Sequence, residues 1–576
     1  MLRIIIFLLC TTAVQAQQGF IALNQEGFFP MGPKQAAWVG ANTSAQFYIL
    51  RTGARPDTVF RGMSSSPKAS KNSSLQVSLL DFSALQMPGN YTIHIGNVPA
   101  SYPFSISTTA LRATAISSLK GFYYQRVSQP LEFVYAGTWA RAAGHPDTAV
   151  YIHPSAANKY RLAGTVISSP GGWYDAGDYN KYIVNSGITV GTLLSAYEDF
   201  KIYFDTLRTH IPESGNKLPD LIDEILINLR WMLTMQDPND GGVYHKLTNA
   251  AFDGMVMPGV TTLPRYAVQK STAATLDFAA VLAQSARILK NFSTQLPGLS
   301  DSCLQAATKA WQWALQHPNI LYDQDAMNKT FDPDVSTGAY GDGSVADEKL
   351  WAAAELWITT GKNIYAAAIG NSKGKTGLMS WNYVGTMGLL SISRHAKKLS
   401  SSAGVDLPAI RTYLLNFADS LVNNIGNNAF GTVMGGSPKD FEWGSNAVAA
   451  NQGMICIHAY LQTKNKKYLT AALSNADYIL GRNATGYCFV TGAGTKSTMR
   501  PHHRPSVADG IVEPVPGLLA GGPNPGKQDK CNYTFSEPET TYVDDECSYA
   551  SNEIAINWNA PLVYLLNALI ALASSY

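Results

Sequence analysis

The sequence predicts a multidomain chain: a small all-β sandwich followed by a large all-α domain. Three observations carry that expectation. Between Phe20 and Ser107, short apolar runs with period-two alternation are separated by Gly, Pro, Ser and Asn clusters. Beyond about Ala113, apolar residues fall at helical spacing in long stretches instead. Nowhere do strand and helix patterns alternate, so a doubly wound parallel sheet is not expected. At 576 residues the chain is also too long for one small core.

Residues 1–16 read as a secretory leader. Arg3 supplies its positive charge, Ile4 to Leu9 its apolar core and Val14-Gln15-Ala16 its small-residue cleavage site. The β module spans 18–107. Within it Tyr91, Ile93 and Ile95 alternate with Thr92 and His94 after the turn Met87-Pro88-Gly89-Asn90. Phe47 to Leu50 and Tyr102 to Ile106 are further strands, and the size suits an immunoglobulin-like fold. The helical domain spans 110–576. Leu221, Ile222, Ile225, Leu226, Leu229 and Leu233 share one helix face, with Pro219 near its start. A second helix is expected over 271–289, capped by Ser271 or Thr272. Others are expected near 301–316, 347–360, 410–424, 446–461, 468–480 and 553–572. The last is strongly apolar, but Asn557, Asn559, Pro561 and Asn567 interrupt it, so it reads as a core helix and not a membrane span.

Charged residues make up 15% of the chain and the net charge is +2, which offers no basis for binding nucleic acid or an anionic membrane. Aromatics, at 11%, suit a protein that stacks on flat ligands, and equally one with a large core. Of six cysteines, Cys10 lies in the leader. Cys531 and Cys547 flank a short polar loop and are the expected disulfide of an exported chain.

Two acid-bearing segments stand out. GGWYDAGDYNKY, 171–182, places Asp175 and Asp178 three residues apart among Trp173, Tyr174, Tyr179 and Tyr182. Paired acids among aromatics suit an enzyme that hydrolyses sugar chains, although Asp and Gly also serve plain turns. YVDDECSYASNEIAINWN, 542–559, adds Asp544, Asp545, Glu546 and Glu553. Ser551-Asn552 reads as an N-cap, placing Glu553 in a first helical turn, where the helix dipole favours the ionised form. A general acid there would need neighbouring charge from Asp175, Asp178 or Asp544, together with burial, to hold its proton.

Both segments resemble signatures of glycoside hydrolase family 9, the inverting cellulases. Gly494 to Arg504, ending PHHR, resembles that family's histidine signature. GGVYHK at 241–246, DEKLWAAAELW at 347–357 and WGSN at 443–446 resemble further blocks, and LNQEGFFP resembles the start of the immunoglobulin-like module that precedes many members. The resemblance implies an (α/α)6 barrel and an endo-acting β-1,4-glucanase. It implies Asp178 as general base, Asp175 as the helper that holds the same water, and Glu553 as general acid. It implies sugar contacts at His502, Arg504, Tyr549 and Asp544, with His245, Trp443 and Trp173 as candidate subsite walls. Asp347 and Glu348, near the carbonyls of Gly343 and Ser344, resemble the family's calcium site. No structural zinc is expected: His145 and His153 remain, but Val127 and Gly144 stand where zinc-binding relatives carry cysteine. The expected protein is a secreted monomer without nucleic-acid or membrane partners. Exo action, mixed-linkage glucan or xyloglucan as substrate, and a non-catalytic glycan-binding role are the alternatives.

Overall fold

The computed structural model describes residues 19–53, 56–370, 377–400 and 403–576; the proposed leader lies outside them. The N-terminal part is a sandwich of two four-stranded sheets. One has the order Phe20–Ala22, Gln35–Val39, Gln76–Asp81, Lys68–Ala69, and the other Asp57–Met63, Gln46–Arg51, Gly89–Ile95, Phe104–Ile106. Ile49 pairs with Ile93 and Phe47 with Ile95, and this row of buried side chains packs with Leu80 and Phe82 of the facing sheet. The alternation around Tyr91 thus points every second residue into the sandwich core.

The long helices close into a ring, the (α/α)6 architecture. Ile183–Asp199 packs on Thr272–Leu289, which packs on Ala346–Thr360, then Gly385–His395; Ser445–Thr463 packs on Ile556–Ala571, which returns to Ile183–Asp199, and the mostly exposed Leu407–Ile425 lies outside these six, bridging Gly385–His395 and Ser445–Thr463. Ser271 caps Thr272–Leu289 by accepting from the Ala274 amide. Helix Ile183–Asp199 is buried from Ile183 to Tyr197, as an inner member of the ring requires. A small five-stranded sheet, absent from the sequence expectations, joins Val166–Ile167, Val150–Ile152, Arg265–Ala267, Lys246–Asn249 and Lys181–Tyr182. Its strands have two to four residues each, too short to leave a periodic pattern.

The sandwich braces the helical domain where its long loops leave the ring. Val39 and Val77 pack with Phe430 and Ala484. Gln25 accepts from the backbone amides of Thr495 and Lys496, each at 2.8 Å, and Glu537 accepts from the Ser74 amide at 2.8 Å. These contacts sit at the roots of the PHHR and Glu553 segments. Cys531 and Cys547 are joined, with 6.2 Å between Cα atoms, which ties a further loop to the Glu553 segment.

Candidate active site

The loop 171–182 is fixed from several sides. Gly172 has φ of +84°, and a side chain there would meet Trp231 at 2.9 Å, so glycine is required on both counts. Lys181 donates to the Gly171 carbonyl at 2.8 Å and pairs with buried Asp147 at 2.6 Å. The Gln125 amide donates to the Ala176 carbonyl at 2.9 Å. Asp175 and Asp178 are both buried, yet they are held differently. Asn185 donates to Asp175 Oδ1, and Tyr340 Oη donates to Asp175 Oδ2 at 2.7 Å. On Asp178, Asn180 at 2.5 Å and Tyr182 at 3.1 Å both donate to Oδ2; among the described residues none donates to Oδ1. Burial, and then the charge of Asp178, push the Asp175 carboxyl up to about 8. The pair therefore retains a proton near neutrality, most simply on Asp175.

Glu553 approaches these aspartates on a strand-like stretch, which corrects the expected helical turn. Ser548 caps a single turn, Tyr549–Asn552; Glu553 follows with φ −70° and ψ 158°, and the last helix begins only at Ile556. Its backbone pairs with His502, and Gly521 N–H donates to its carbonyl at 2.8 Å. Ile556 N–H donates to the Asp175 carbonyl at 2.8 Å, knitting the two acid segments together. Gly177 lies at the junction, where a Cβ would stand 2.1 Å from the His502 carbonyl oxygen. The expected conflict with a helix dipole disappears with the helix. Burial raises the Glu553 carboxyl well above its ordinary range, Asp178 and Asp175 raise it further, and Arg504 and the Gly177 backbone only partly oppose them. Asp544 is not one of these charges. It accepts from the amides of Met499 and Arg500 and from Asn552, a structural tie in place of the expected sugar contact.

All three acids line one cleft of about 580 Å³, walled by Tyr340, Trp381, Trp443 and Phe252. Trp443, 44% exposed, packs at a 36° tilt against Tyr549 with ring centres 5.4 Å apart and leaves an aromatic face open to the cleft. The Tyr549 hydroxyl itself donates to the Gln528 carbonyl at 2.8 Å. His502 is half-buried beside this wall and donates from Nδ1 to the Glu546 carbonyl at 2.6 Å, leaving Nε2 as an acceptor.

Other expected contacts are buried supports. Arg504 donates to the carbonyls of Gly177 at 2.7 Å and Asp253 at 2.9 Å, holding the loop and not the cleft surface. His245 is fully enclosed. It bonds Ser271 through Nδ1 and donates from Nε2 to the Ala339 carbonyl at 2.8 Å, and it lies flat on Tyr322 at 4.0 Å; burial pulls it down to about 3. Trp173 is wholly buried and donates to Glu224 at 2.8 Å. Sequence reasoning missed Tyr340, Asn185 and Tyr182 as partners of the aspartates. Only Tyr182, within the signature itself, carried a local signal.

Asp347 and Glu348 lie in a buried acidic cluster with Asp277 and Asp342. Among the described residues no hydrogen-bond partner reaches either carboxylate oxygen of Glu348 or of Asp277, while Asp347 accepts from Val384 N–H at 2.7 Å. Burial, then Asp277, Asp347 and Asp342, push Glu348 up to about 11. Among the described residues no three such side chains form a ready coordination shell. These oxygens, without a counter-cation among the described residues, nevertheless suit a hard divalent ion. His153 accepts at Nδ1 from Ser155 and donates from Nε2 to the Pro333 carbonyl at 2.9 Å, and His145 bonds Tyr174 at 2.8 Å, so the two rings serve separate structural ties.

The profile of glycosyl hydrolase family 9 matches residues 113–566, and that of the cellulase N-terminal ig-like domain matches 16–100. The chain is 47% identical over 555 residues to a xyloglucan-specific endo-beta-1,4-glucanase of Bacteroides ovatus, covering 96% of this chain and 94% of that one. It is 34% identical to Endoglucanase D of Acetivibrio thermocellus, covering 95% and 82%. Among solved structures, a Bacteroides ovatus GH9 protein superposes with a TM-score of 0.91 at 45% identity, covering 96% and 99%. A thermostable endoglucanase from Alicyclobacillus acidocaldarius, a single mutant, gives 0.85 at 31%, with the same coverage.

Proposed function

Since the chain belongs to glycosyl hydrolase family 9, we propose that it is a secreted, inverting endo-β-1,4-glucanase in which Asp178 is the general base, Glu553 the general acid and Asp175 the helper. The observation that carries this reading is the asymmetry of the acids around one cleft. Among the described residues none donates to one oxygen of Asp178, Asp175 has both oxygens claimed, and burial and the two aspartates favour the protonated form of Glu553.

In the proposed cycle a water on Asp178 Oδ1 attacks the anomeric carbon. Its proton passes to Asp178, the C–O bond to the leaving sugar breaks, and that oxygen takes the Glu553 proton. Carboxyls about 6.5–9.5 Å apart leave room for the water in such enzymes. Solvent exchange then returns Asp178 to carboxylate and Glu553 to acid. The donors on Asp178 Oδ2 stabilise its charge, and Tyr340 and Asn185 fix Asp175 beside the water. Trp443 and Phe252, both exposed on the cleft, offer stacking faces for the chain.

Xyloglucan is the second reading, favoured by the specificity in the name of the Bacteroides ovatus relative. The acidic cluster of Asp277, Asp342, Asp347 and Glu348 is proposed to hold calcium in a structural role, outside the chemistry. Among the described residues no helix is long and apolar enough to cross a membrane. Secretion is proposed from the leader motif of residues 1–16, with the chain acting as a monomer. The test is reducing-sugar release and viscosity loss on carboxymethylcellulose, mixed-linkage glucan and xyloglucan. Rapid viscosity loss on at least one is expected; no hydrolysis of any would overturn the reading.

A further inference from the structure

The GGVYHK motif contains a buried lysine that the chemistry above does not use. Lys246 is 0% exposed and lies on the strand Lys246–Asn249, paired directly opposite Tyr182. Its ammonium donates to three neutral acceptors: Gln324 Oε1 at 2.7 Å, Thr337 Oγ1 at 3.0 Å and the Gly338 carbonyl at 2.7 Å. It also lies 5.5 Å from the ring centres of both Tyr182 and Tyr322. Among the described residues no carboxylate stands within ion-pair distance of it. A buried cation without a salt bridge is expensive unless a charge further off compensates it.

Two features of its surroundings identify that charge. Tyr182, whose ring it faces, donates to Asp178. Thr337 and Gly338, which it grips, lead through Ala339, held by His245, to Tyr340, which donates to Asp175. Tyr340 has a left-handed φ of +47°, rare for a bulky residue and sustained only where its surroundings enforce it. Tyr182 and Tyr340 pack edge to face, 4.8 Å between ring centres. One ammonium therefore lies behind both tyrosines that hold the aspartates.

We propose that Lys246 is a positioning residue that acts through Tyr182, Thr337 and Gly338 to supply the counter-charge of the Asp175–Asp178 pair and to fix Tyr340. This rests on the assignment of Asp178 as base. Burial pulls Lys246 down to about 7, and the charge of Asp178 raises it, so it carries its charge below neutrality. The other groups that act on Lys246 or on the pair are few. His245 and His153 share the environment of Lys246, and both are driven toward neutrality by burial. Glu553, His502, Tyr182 and Tyr340 face the aspartates.

The test compares Lys246→Met, Lys246→Gln and Lys246→Arg with the parent protein. Gln is neutral yet retains two donors, and so separates charge from loop support. The pH profile of kcat/KM on a soluble β-1,4-glucan should keep its acid limb in the Arg variant. The limb should move up by about one pH unit in both neutral variants, mainly through kcat. Aspartate-selective carboxyl NMR, with the Asp178 signal identified by its loss in Asp178→Asn, follows the same titration without turnover. Its midpoint should rise equally. Folded neutral variants with unmoved limb and unmoved Asp178 midpoint would overturn the inference, whereas a parent protein inactive on every glucan sinks the functional reading and leaves the NMR titration to judge Lys246.

Discussion

Asp175→Asn should stabilise the protein at pH 8 while impairing catalysis. A carboxyl at about 8 in the fold and near 3.8 in the unfolded chain destabilises the fold once ionised. Because the folded value is the higher one, its stabilising contribution is complete below about pH 4 and is lost as pH rises through about 8. At pH 7 about three quarters of the loss has occurred: about three units, or about 4 kcal/mol at 1.36 kcal/mol per unit. Asparagine abolishes the ionisation that favours the unfolded chain above about pH 4, but presents an NH₂ to either Asn185 or Tyr340, where Asp175 accepted from both. That mismatch costs about 1–3 kcal/mol. The net gain is about 2 kcal/mol at pH 7–8, with a net loss of about the mismatch at pH 4. Thermal melts at one scan rate, from pH 4 to 8.5, should therefore give crossing curves: the variant melts lower than the parent at pH 4 and a few degrees higher at pH 8. Parallel curves, or a variant less stable at every pH, would refute the claim that this aspartate pair stores an electrostatic penalty for function.

Other predictions follow from the same geometry. Glu553→Gln should lower kcat on cello-oligosaccharides by about 10²–10⁴ but recover largely on a dinitrophenyl cellobioside, whose leaving group needs no proton. Asp178→Asn should lose comparable activity on both substrates, and rescue of Asp178→Asn by the good leaving group would reverse the roles. Added calcium should raise the melting temperature and EDTA lower it in the parent protein, with no response in Glu348→Gln; equal responses in the two would remove calcium from the acidic cluster. Trp443→Ala, at an exposed site, should leave the melting temperature within about 1 °C and raise KM on long glucan chains several-fold through loss of a stacking platform. An unchanged KM would assign Trp443 to packing on Tyr549 alone.

Much of the fold was legible because its signals are local. The alternation around Tyr91 and the apolar face from Leu221 to Leu233 both lie where the sequence placed them, the latter within the helix Asp220–Thr234. Helix Ile183–Asp199 escaped notice because a helix buried on every side has no polar face to set a period. Glu553 was misplaced because Ser551-Asn552 mimics a cap, whereas Ser548 is the residue whose side chain accepts from Ser551 N–H. His245 and Arg504 carry chemistry-bearing side chains in motif positions, yet their polar atoms face backbone carbonyls. Residue type does not reveal which way a side chain turns. Tyr340 was invisible for a different reason: it reaches Asp175 across 165 residues of chain, from a loop whose position is set by Lys246 and His245 beneath it.

The central claim is that water, activated at Asp178 and opposed by Glu553, displaces the leaving sugar in a single step. The most direct test is proton NMR of the anomeric signals in the first minutes of hydrolysis of cellohexaose or a xyloglucan oligosaccharide. The α-anomer of the new reducing end should appear first, with the β-anomer growing only by mutarotation. Initial formation of the β-anomer would mean retention through a covalent intermediate and would contradict the account.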